Sequence, residues 1–199
     1  MNTTLVNWML VLFVSFSWGA SFMFTRLAVD EIAPTYLVVT RLFLASILLG
    51  PIFIRKKDLI LMSKEIPSIL ILGIINAALP FFLFAYAAQD LSAGMLSILN
   101  GTSPLFALII AITWFRQNTT LMQILGLGLG FIGLMVFIGT DQISFIFYPV
   151  LLCLIGAFCY AYSNNILFRL NHIKSAALAS VTMISGFFFS LPLIFLEPT

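Results

Sequence analysis

Charged residues are scarce in this sequence, and their scarcity decides the class of protein. Only 8% of its 199 residues are Asp, Glu, Lys or Arg, whereas 62% are hydrophobic. A water-soluble domain carries about 25% charged residues, so this chain could not cover a surface that faces water. The composition therefore predicts a membrane protein. The formal net charge of +2 is too small, and its bases are too scattered, to indicate a nucleic-acid partner.

Metal ligands and catalytic groups are also few. Cys153 and Cys159 lie in one apolar run, at a spacing that turns them to different faces of a helix. His172 is the only histidine and has no acidic cluster near it, so we predict no metal site and no cofactor. No carboxylate lies deep in an apolar run, and no Ser–His or paired-Asp arrangement lies there either. We therefore predict that the chain is not an enzyme.

Long apolar runs are what the sequence has in abundance. A helix needs about 20 apolar residues to cross a bilayer. The stretches that are long enough are approximately 6–26, 34–54, 66–88, 93–115, 120–139, 145–168 and 175–196. The sequence thus predicts an all-α polytopic membrane protein with about seven transmembrane helices.

Bases and acids occupy alternating connections between these runs. The bases on one side are Arg55, Lys56, Lys57, Lys64, Arg116, Arg169 and Lys174. The acids on the other side are Asp30, Glu31, Asp90, Asp141 and Glu197, with Arg26 as the only nearby base. Basic residues mark the cytoplasmic side of a membrane protein. We therefore predict a multi-pass protein of the inner cell membrane with a cytoplasmic N-terminus.

The segment GLGLGFIG contains the spacing of a dinucleotide-binding loop at Gly128, Gly130 and Gly133. That loop needs a strand before it and a helix after it, but these glycines lie within the fifth apolar run. On a helix, Gly126, Gly130 and Gly133 share one face and allow a second helix to approach closely. We predict that they serve helix packing and do not bind phosphate.

Arg41 is the only charged residue well inside an apolar run. It follows Pro34 by about seven residues, or roughly 10 Å along a helix. One interpretation is that its side chain reaches the outer interface or pairs with Asp30 or Glu31. The other is that Arg41 anchors a substrate carboxylate or phosphate in a water-filled cavity.

Prolines interrupt the third and fourth apolar runs beside polar residues. The third contains Asn76 four residues before Pro80, and the fourth contains NGTSP, from Asn100 to Pro104. Either segment could be a tolerated kink. Interrupted helices at mid-membrane are also typical of the binding sites of transporters.

Aromatic and amide side chains add to the polar groups at membrane depth. Trp18 in the first run could pack against a neighbouring helix or form an aromatic wall of a cavity. Tyr162 belongs to the polar cluster CYAYSNNI in the sixth run, which lines a cavity or a helix interface. The candidate substrate-binding residues are Trp18, Arg41, Asn76, Asn100 and Tyr162.

Three segments of the sequence resemble one known family. They are WGASFMFTRLAVDEIAPTYLVVTRLFLAS, YAAQDLSAGMLSILNGTSPLFALI and LMQILGLGLGFIGLMVFIG, which together cover nearly all of residues 6–139. In order and spacing they are similar to the EamA-like permeases of the drug/metabolite transporter superfamily. Each motif alone is modest, and the combination is specific.

The resemblance implies ten helices in two five-helix repeats, the second inverted relative to the first. Residues 1–140 would then form the first repeat, and 141–199 the first two helices of a second repeat that is truncated. A trace of the repeat is visible where SFSWGASFMFTRL is set beside AFCYAYSNNILFRL, so that Trp18 corresponds to Tyr160.

The resemblance also implies a function. The chain would be a permease or exporter of small metabolites, such as amino acids or related organic solutes, that works by alternating access. Its partners would be the lipid bilayer, a small-molecule substrate, and a second half or a second copy of the chain. Two alternatives remain: a truncated membrane scaffold or remnant that transports nothing, and a flippase for a lipid carrier.

Overall fold

The computed structural model describes residues 3–114, 116, 119–138 and 143–196. Every regular element in these ranges is helical, as the apolar runs predict. The α-helices are α1 (Thr3–Ala28), α2 (Pro34–Phe53), α3 (Lys56–Met62), α4 (Ile66–Leu72), α5 (Leu79–Ala87), α6 (Ala93–Asn100), α7 (Ser103–Thr113), α8 (Leu121–Ile138), α9 (Ile143–Arg169) and α10 (Ser175–Ser190). A π turn, Gly73–Ala78, joins α4 to α5, and a 3-10 helix, Leu191–Leu196, follows α10.

Helices long and apolar enough to cross a membrane account for six of the predicted spans. Among the described residues they are Thr4–Ala28, Pro34–Phe53, Ile66–Ala87, Ala93–Thr113, Phe147–Arg169 and Ser175–Phe195. The other predicted span, 120–139, coincides with α8, where a shorter apolar helix covers Leu121–Gly133. The chain is a multi-pass, all-helical membrane protein. Asp141 and Glu197, used above to assign an orientation, lie outside the described residues.

The closest packing lies around α10 and the third span. α10 packs along α2 and against the π turn, while α5 packs along α9. Small residues permit the approach, because a Cβ atom added to Gly186 would lie 2.9 Å from the Ala77 Cβ. Close approach of this kind is how helices associate in lipid, where hydrophobic burial supplies no driving force between them. These helices form the centre of the bundle.

Two helices lie at the edge of that bundle. Only 6% of the most apolar window of α1 is buried inside the protein, against 50% for the span formed by α4 and α5. α1 contacts mainly α6, and α8 contacts mainly α7. Their outward faces are therefore apolar surfaces that a bilayer or another helix would cover.

The third and fourth apolar runs are both interrupted near a proline. The third run leaves α-helical geometry at the π turn, and Pro80 then occupies an early position of α5, where its missing N–H costs little. The fourth run ends as α6 at Asn100 and resumes as α7 at Ser103, with Pro104 in the first turn. The two interruptions place Asn76 and Asn100 at breaks in the helical hydrogen bonding.

One helix was not predicted from the sequence. α3 occupies the basic connection between the second and third apolar runs. The apolar pattern predicts no helix there. Its seven residues are too few to register as a membrane-spanning run.

Candidate functional site

A cavity of about 880 Å³ lies where α1, α2, both interrupted runs and α9 meet. Ligand pockets of proteins commonly enclose about 300–1,000 Å³, so its size suits a small metabolite. The cavity brings together four of the five candidate residues, namely Trp18, Arg41, Asn76 and Asn100. Tyr162 is not among the residues that line it.

Arg41 supplies the positive charge of the cavity. Its Nη1 donates to Thr25 Oγ1 and its Nη2 donates to Ser21 Oγ, each at 2.9 Å. Its guanidinium carbon lies 4.8 Å from the centroid of the Phe81 ring, an arrangement in which the aromatic face attracts the cation. No carboxylate pairs with Arg41 in the part of the chain that the structure describes. Asp30, one of the acids considered as its partner, pairs instead with Arg26 at 2.5 Å.

Ser21 and Thr25 were not predicted as site residues from the sequence. Their spacing from Trp18 could have indicated them. Together with Trp18 they lie three and four residues apart on α1 and therefore share one helix face. All three line the cavity. Thr25 Oγ1 also donates to the backbone oxygen of Ser21 at 2.7 Å. This polar stripe faces the protein, whereas the remainder of α1 is largely apolar and exposed.

Aromatic rings form much of the cavity wall. Trp18 is 52% exposed, so neighbouring helices leave about half of its side chain uncovered. Phe22 packs on Phe84 with ring centroids 5.4 Å apart, and Phe84 stacks near Tyr160 at 6.3 Å. Trp18 and Tyr160, which the trace of an internal repeat pairs in the sequence, both line the cavity. The wall can accommodate a planar or apolar part of a ligand.

Asn76 lies in the π turn, where its amide is already used by the protein. Its Nδ2 donates to Ser163 Oγ on α9 at 2.6 Å, and that hydroxyl donates to the Tyr160 backbone oxygen at 2.8 Å. The pair links the third span to α9. A hydrogen bond of this kind supports helix association inside a membrane.

Asn100 is placed differently at the end of α6. Its Oδ1 is buried and accepts no hydrogen bond from any described residue. Leaving a buried acceptor unsatisfied costs about 1–3 kcal/mol. The adjacent hydroxyls serve the helix ends, since Thr102 Oγ1 donates to the Leu99 backbone oxygen at 2.6 Å and Ser103 Oγ donates to the Asn100 backbone oxygen at 2.7 Å. Asn100 lines the cavity, and its Oδ1 is a buried acceptor that the described residues leave unsatisfied.

α9 presents a different face to the cavity from the one that holds Tyr162. Tyr160, Asn164 and Leu167 line the cavity, and their spacing of three to four residues places them on one helix face. The Tyr162 ring meets the edge of Trp114 at 6.1 Å. Tyr160 and Asn164 were in the polar cluster recognised in the sequence, but nothing in that cluster indicated which face it turns inward.

The glycines of α8 differ in what surrounds them. A Cβ atom added to Gly130 would lie 2.9 Å from Leu105 Cδ2 on α7. Gly126 and Gly133 have no described atom within 4 Å of the corresponding position. The structure thus provides a close helix neighbour at Gly130, and a packing role for the other two stays a prediction.

Charge and metal-ligand chemistry at the site are simple. The described residues contain no group of three His, Cys, Asp or Glu side chains arranged to hold a metal ion. Among the described residues, the cavity lining includes Arg41 and no Asp or Glu. An uncompensated cation surrounded by aromatic rings and amides is suited to binding an organic anion.

The sequence of the chain is similar to those of a group of transporters. A family model described as the EamA-like transporter family matches residues 7–139. Protein PagO of Salmonella typhimurium is 29% identical over 119 residues, which are 59% of this chain and 39% of that protein. The uncharacterized transporter YdfC of Bacillus subtilis is 24% identical over 158 residues, 79% of this chain and 51% of that protein.

A further relative has a substrate in its name. The S-adenosylmethionine/S-adenosylhomocysteine transporter of Chlamydia trachomatis is 26% identical over 139 residues, 68% of this chain and 42% of that protein. No solved structure matches. The chain spans about half the length, or less, of these curated relatives.

Proposed function

Because this chain belongs to the EamA-like transporter family, we propose that it is a permease or exporter for small organic anions and zwitterions. Two of the relatives described above are named as transporters. The proposal assigns Arg41 the recognition of negative charge, Trp18 an aromatic wall, and Asn100 a hydrogen bond to the substrate.

The observation that carries the proposal is Arg41 inside the cavity. A charged side chain within the membrane is costly, and it usually faces a water-filled path or a partner charge. Here the described lining supplies Arg41 with two hydroxyls and one aromatic ring but no carboxylate. A carboxylate or phosphate of the substrate would balance the charge through charge-assisted hydrogen bonds.

The substrate class follows from the rest of the wall. Rings of Trp18, Phe81 and Phe84 suit an apolar or planar group, and the Asn100 oxygen suits an N–H or O–H donor. Amino acids and their derivatives combine these features. The Chlamydia relative is named for such a derivative, so S-adenosylmethionine belongs in the first panel of substrates together with aromatic and aliphatic amino acids.

The proposed mechanism is alternating access around this cavity. The third and fourth spans are interrupted beside it, as in carriers whose sites lie between repeats. Residues 1–140 would act as one repeat, and α9 and α10 belong to the start of the second. The proposed partners are the lipid bilayer, a small-molecule substrate, and a second half or a second copy of the chain. We place the protein in the inner membrane with its N-terminus in the cytoplasm.

Transport by paired variants tests the proposal. In inverted membrane vesicles, R41Q is expected to lower transport of carboxylate solutes at least about tenfold, since hydrogen bonds to a charged group contribute about 1.5–3 kcal/mol. R26Q is the matched control, because Arg26 pairs with Asp30 outside the cavity. For the aromatic wall, W18A is compared with W8A, a tryptophan of the same helix that does not line the cavity.

The outcomes separate the proposal from its two alternatives. Saturable transport of a water-soluble anion that R41Q removes and R26Q spares supports the permease. Transbilayer movement of a lipid-linked substrate alone would favour a flippase. Membrane insertion with no transport of either kind would favour a scaffold. Equal losses in R41Q and R26Q would contradict the assigned role of Arg41.

A further inference from the structure

The short helix α3 exposes apolar side chains at one end of the membrane spans. It connects α2 to α4, and Met62 packs in a small cluster that includes Ile69 and Leu170. The other apolar side chains point away from the bundle, with Leu59 52%, Ile60 66% and Leu61 39% exposed. A water-facing helix would not retain three such neighbours, so α3 is suited to a surface that is partly apolar.

Exposed basic residues flank these apolar side chains. Arg55, Lys57 and Lys64 are exposed, and none of them forms an ion pair with a described residue. The described ion pairs are Arg26 with Asp30 and His172 with Glu65. The sequence places a further base, Lys56, in the same segment. Positive charge therefore accumulates at this end of the bundle.

The acid within the segment does not neutralise it. Asp58 is only 2% exposed, and its Oδ2 accepts a hydrogen bond of 3.2 Å from the Arg55 backbone N–H. The carboxylate thus serves the N-terminal end of α3, where helices favour negative charge. The neighbouring bases remain free to bind an external anion.

α3 presents a basic side chain and apolar side chains on the same part of its surface. Ile60 and Leu61 lie three and four residues after Lys57, so both are neighbours of Lys57 on the helix surface. Lys64 lies two residues beyond the end of α3. Apolar side chains beside bases are typical of helices that lie in the headgroup region of a bilayer. Clusters of bases next to a membrane span bind anionic lipids.

We propose that the segment of residues 55–64 is a binding site for anionic phospholipid headgroups. Arg55, Lys57 and Lys64 contact the lipid phosphates, while Ile60 and Leu61 enter the boundary with the acyl chains. The charge complementarity and the position next to two spans favour a bilayer lipid over a soluble protein. This site is separate from the cavity and does not depend on what the protein transports.

Lipid binding by the full chain in a mild detergent tests the site. The probes are phosphatidylglycerol, which is anionic, and phosphatidylcholine, which is zwitterionic, and native mass spectrometry measures the affinity for each. The test variant is R55Q/K57Q/K64Q. The control variant, R116Q/R169Q/K174Q, removes the same number of bases from other connections of the chain.

The test variant is expected to bind phosphatidylglycerol more than tenfold more weakly, since each base near an anionic surface contributes about fivefold. The control is expected to stay within threefold of the parent chain, and binding of phosphatidylcholine should not change. Equal losses in the two variants would overturn the proposal in favour of general charge attraction. No loss in the test variant, or equal affinity of the parent for both lipids, would also overturn it.

Two further variants keep the test decisive if the triple change disturbs folding. K57Q alone is expected to weaken binding of phosphatidylglycerol about fivefold with the helical content unchanged. I60S should weaken binding of both lipids, because it removes an apolar contact without removing charge. Affinities unaffected by both changes would contradict the proposed contacts.

Discussion

The two interrupted helices of the bundle contain similar residues but use them differently. In the third span, Asn76 donates to Ser163, and glycine contacts hold the π turn against α10. In the fourth span, Asn100 Oδ1 is buried without a hydrogen bond from any described residue. At the first break the protein itself satisfies the amide, and at the second it leaves a buried side-chain oxygen without a partner beside the cavity.

The difference distinguishes a polar side chain that holds helices together from one that could bind a ligand. A buried amide that has a protein partner contributes to helix association, whereas one without a partner lowers stability until a water or a ligand supplies the hydrogen bond. Removal of Asn76 and removal of Asn100 should therefore affect stability differently, although both are asparagines at a helix interruption. The following variants test that distinction, in order of decreasing effect on stability.

Gly73→Ala is expected to cause the largest loss. A Cβ atom there would lie 2.2 Å from Ser185 Oγ and 2.9 Å from the Gly186 backbone nitrogen, so α10 must move. Overpacking of this kind costs about 1–3 kcal/mol, which thermal unfolding in detergent would detect. Gly94→Ala is the control because its added Cβ meets no atom within 4 Å. An unchanged unfolding temperature for Gly73→Ala would show that the π turn does not pack as described.

Asn76→Ala should cause the next largest loss, through its bond with Ser163. Measured hydrogen bonds between membrane helices contribute about 0.6 kcal/mol on average and up to about 1.7. A double-mutant cycle with Ser163→Ala isolates the pair, because Ser163 is fully buried on α9 and 2.6 Å from the amide. Additive effects of the two changes would mean that the amide has another partner.

Gly130→Ala is expected to have a smaller effect, below about 1 kcal/mol. The added Cβ would meet the end of the Leu105 side chain, which can rotate away, and alanine favours the helix by up to about 1 kcal/mol over glycine. Gly126→Ala and Gly133→Ala have open space and should stabilise α8 slightly. If all three changes behave alike, the close approach of α7 to Gly130 is not a determinant of stability.

Asn100→Ala should not lower stability and should leave it unchanged or slightly raised, because the gain from removing an acceptor that has no described partner offsets the packing that the side chain loses. Its effect should appear in transport instead. Uptake of a substrate that carries an N–H donor should fall more than uptake of an analogue without one. A loss of stability as large as that of Asn76→Ala would remove the contrast between the two breaks.

Much of the fold could be predicted from the sequence. The apolar runs locate the spans because the bilayer sets the length of its helices, and Pro80 and Pro104 mark both interruptions. The π turn could not be predicted, because it depends on how Gly73 packs against α10. α3 could not be predicted either, since its apolar stretch, Leu59–Met62, is far shorter than the run that marks a span.

The candidate site was predictable in its residue types more than in its geometry. Polarity at depth identified Arg41, Asn76 and Asn100, all of which line the cavity. It could not distinguish Tyr160 from Tyr162, because a cluster of consecutive polar residues covers every face of a helix. The partners of Arg41 were also hidden, since hydroxyls of Ser and Thr often bond only to their own backbone.

The hydrogen bonds that Arg41 makes leave some of its N–H groups unused. A guanidinium has five N–H groups, and Ser21 and Thr25 engage one on each terminal nitrogen. An anion bound at Arg41, as proposed above, would take the donors that remain without displacing either hydroxyl. Binding would then be an addition and not an exchange, and the connection from α2 to α1 would persist while the site is occupied. α1, which the rest of the bundle holds weakly, would stay attached throughout.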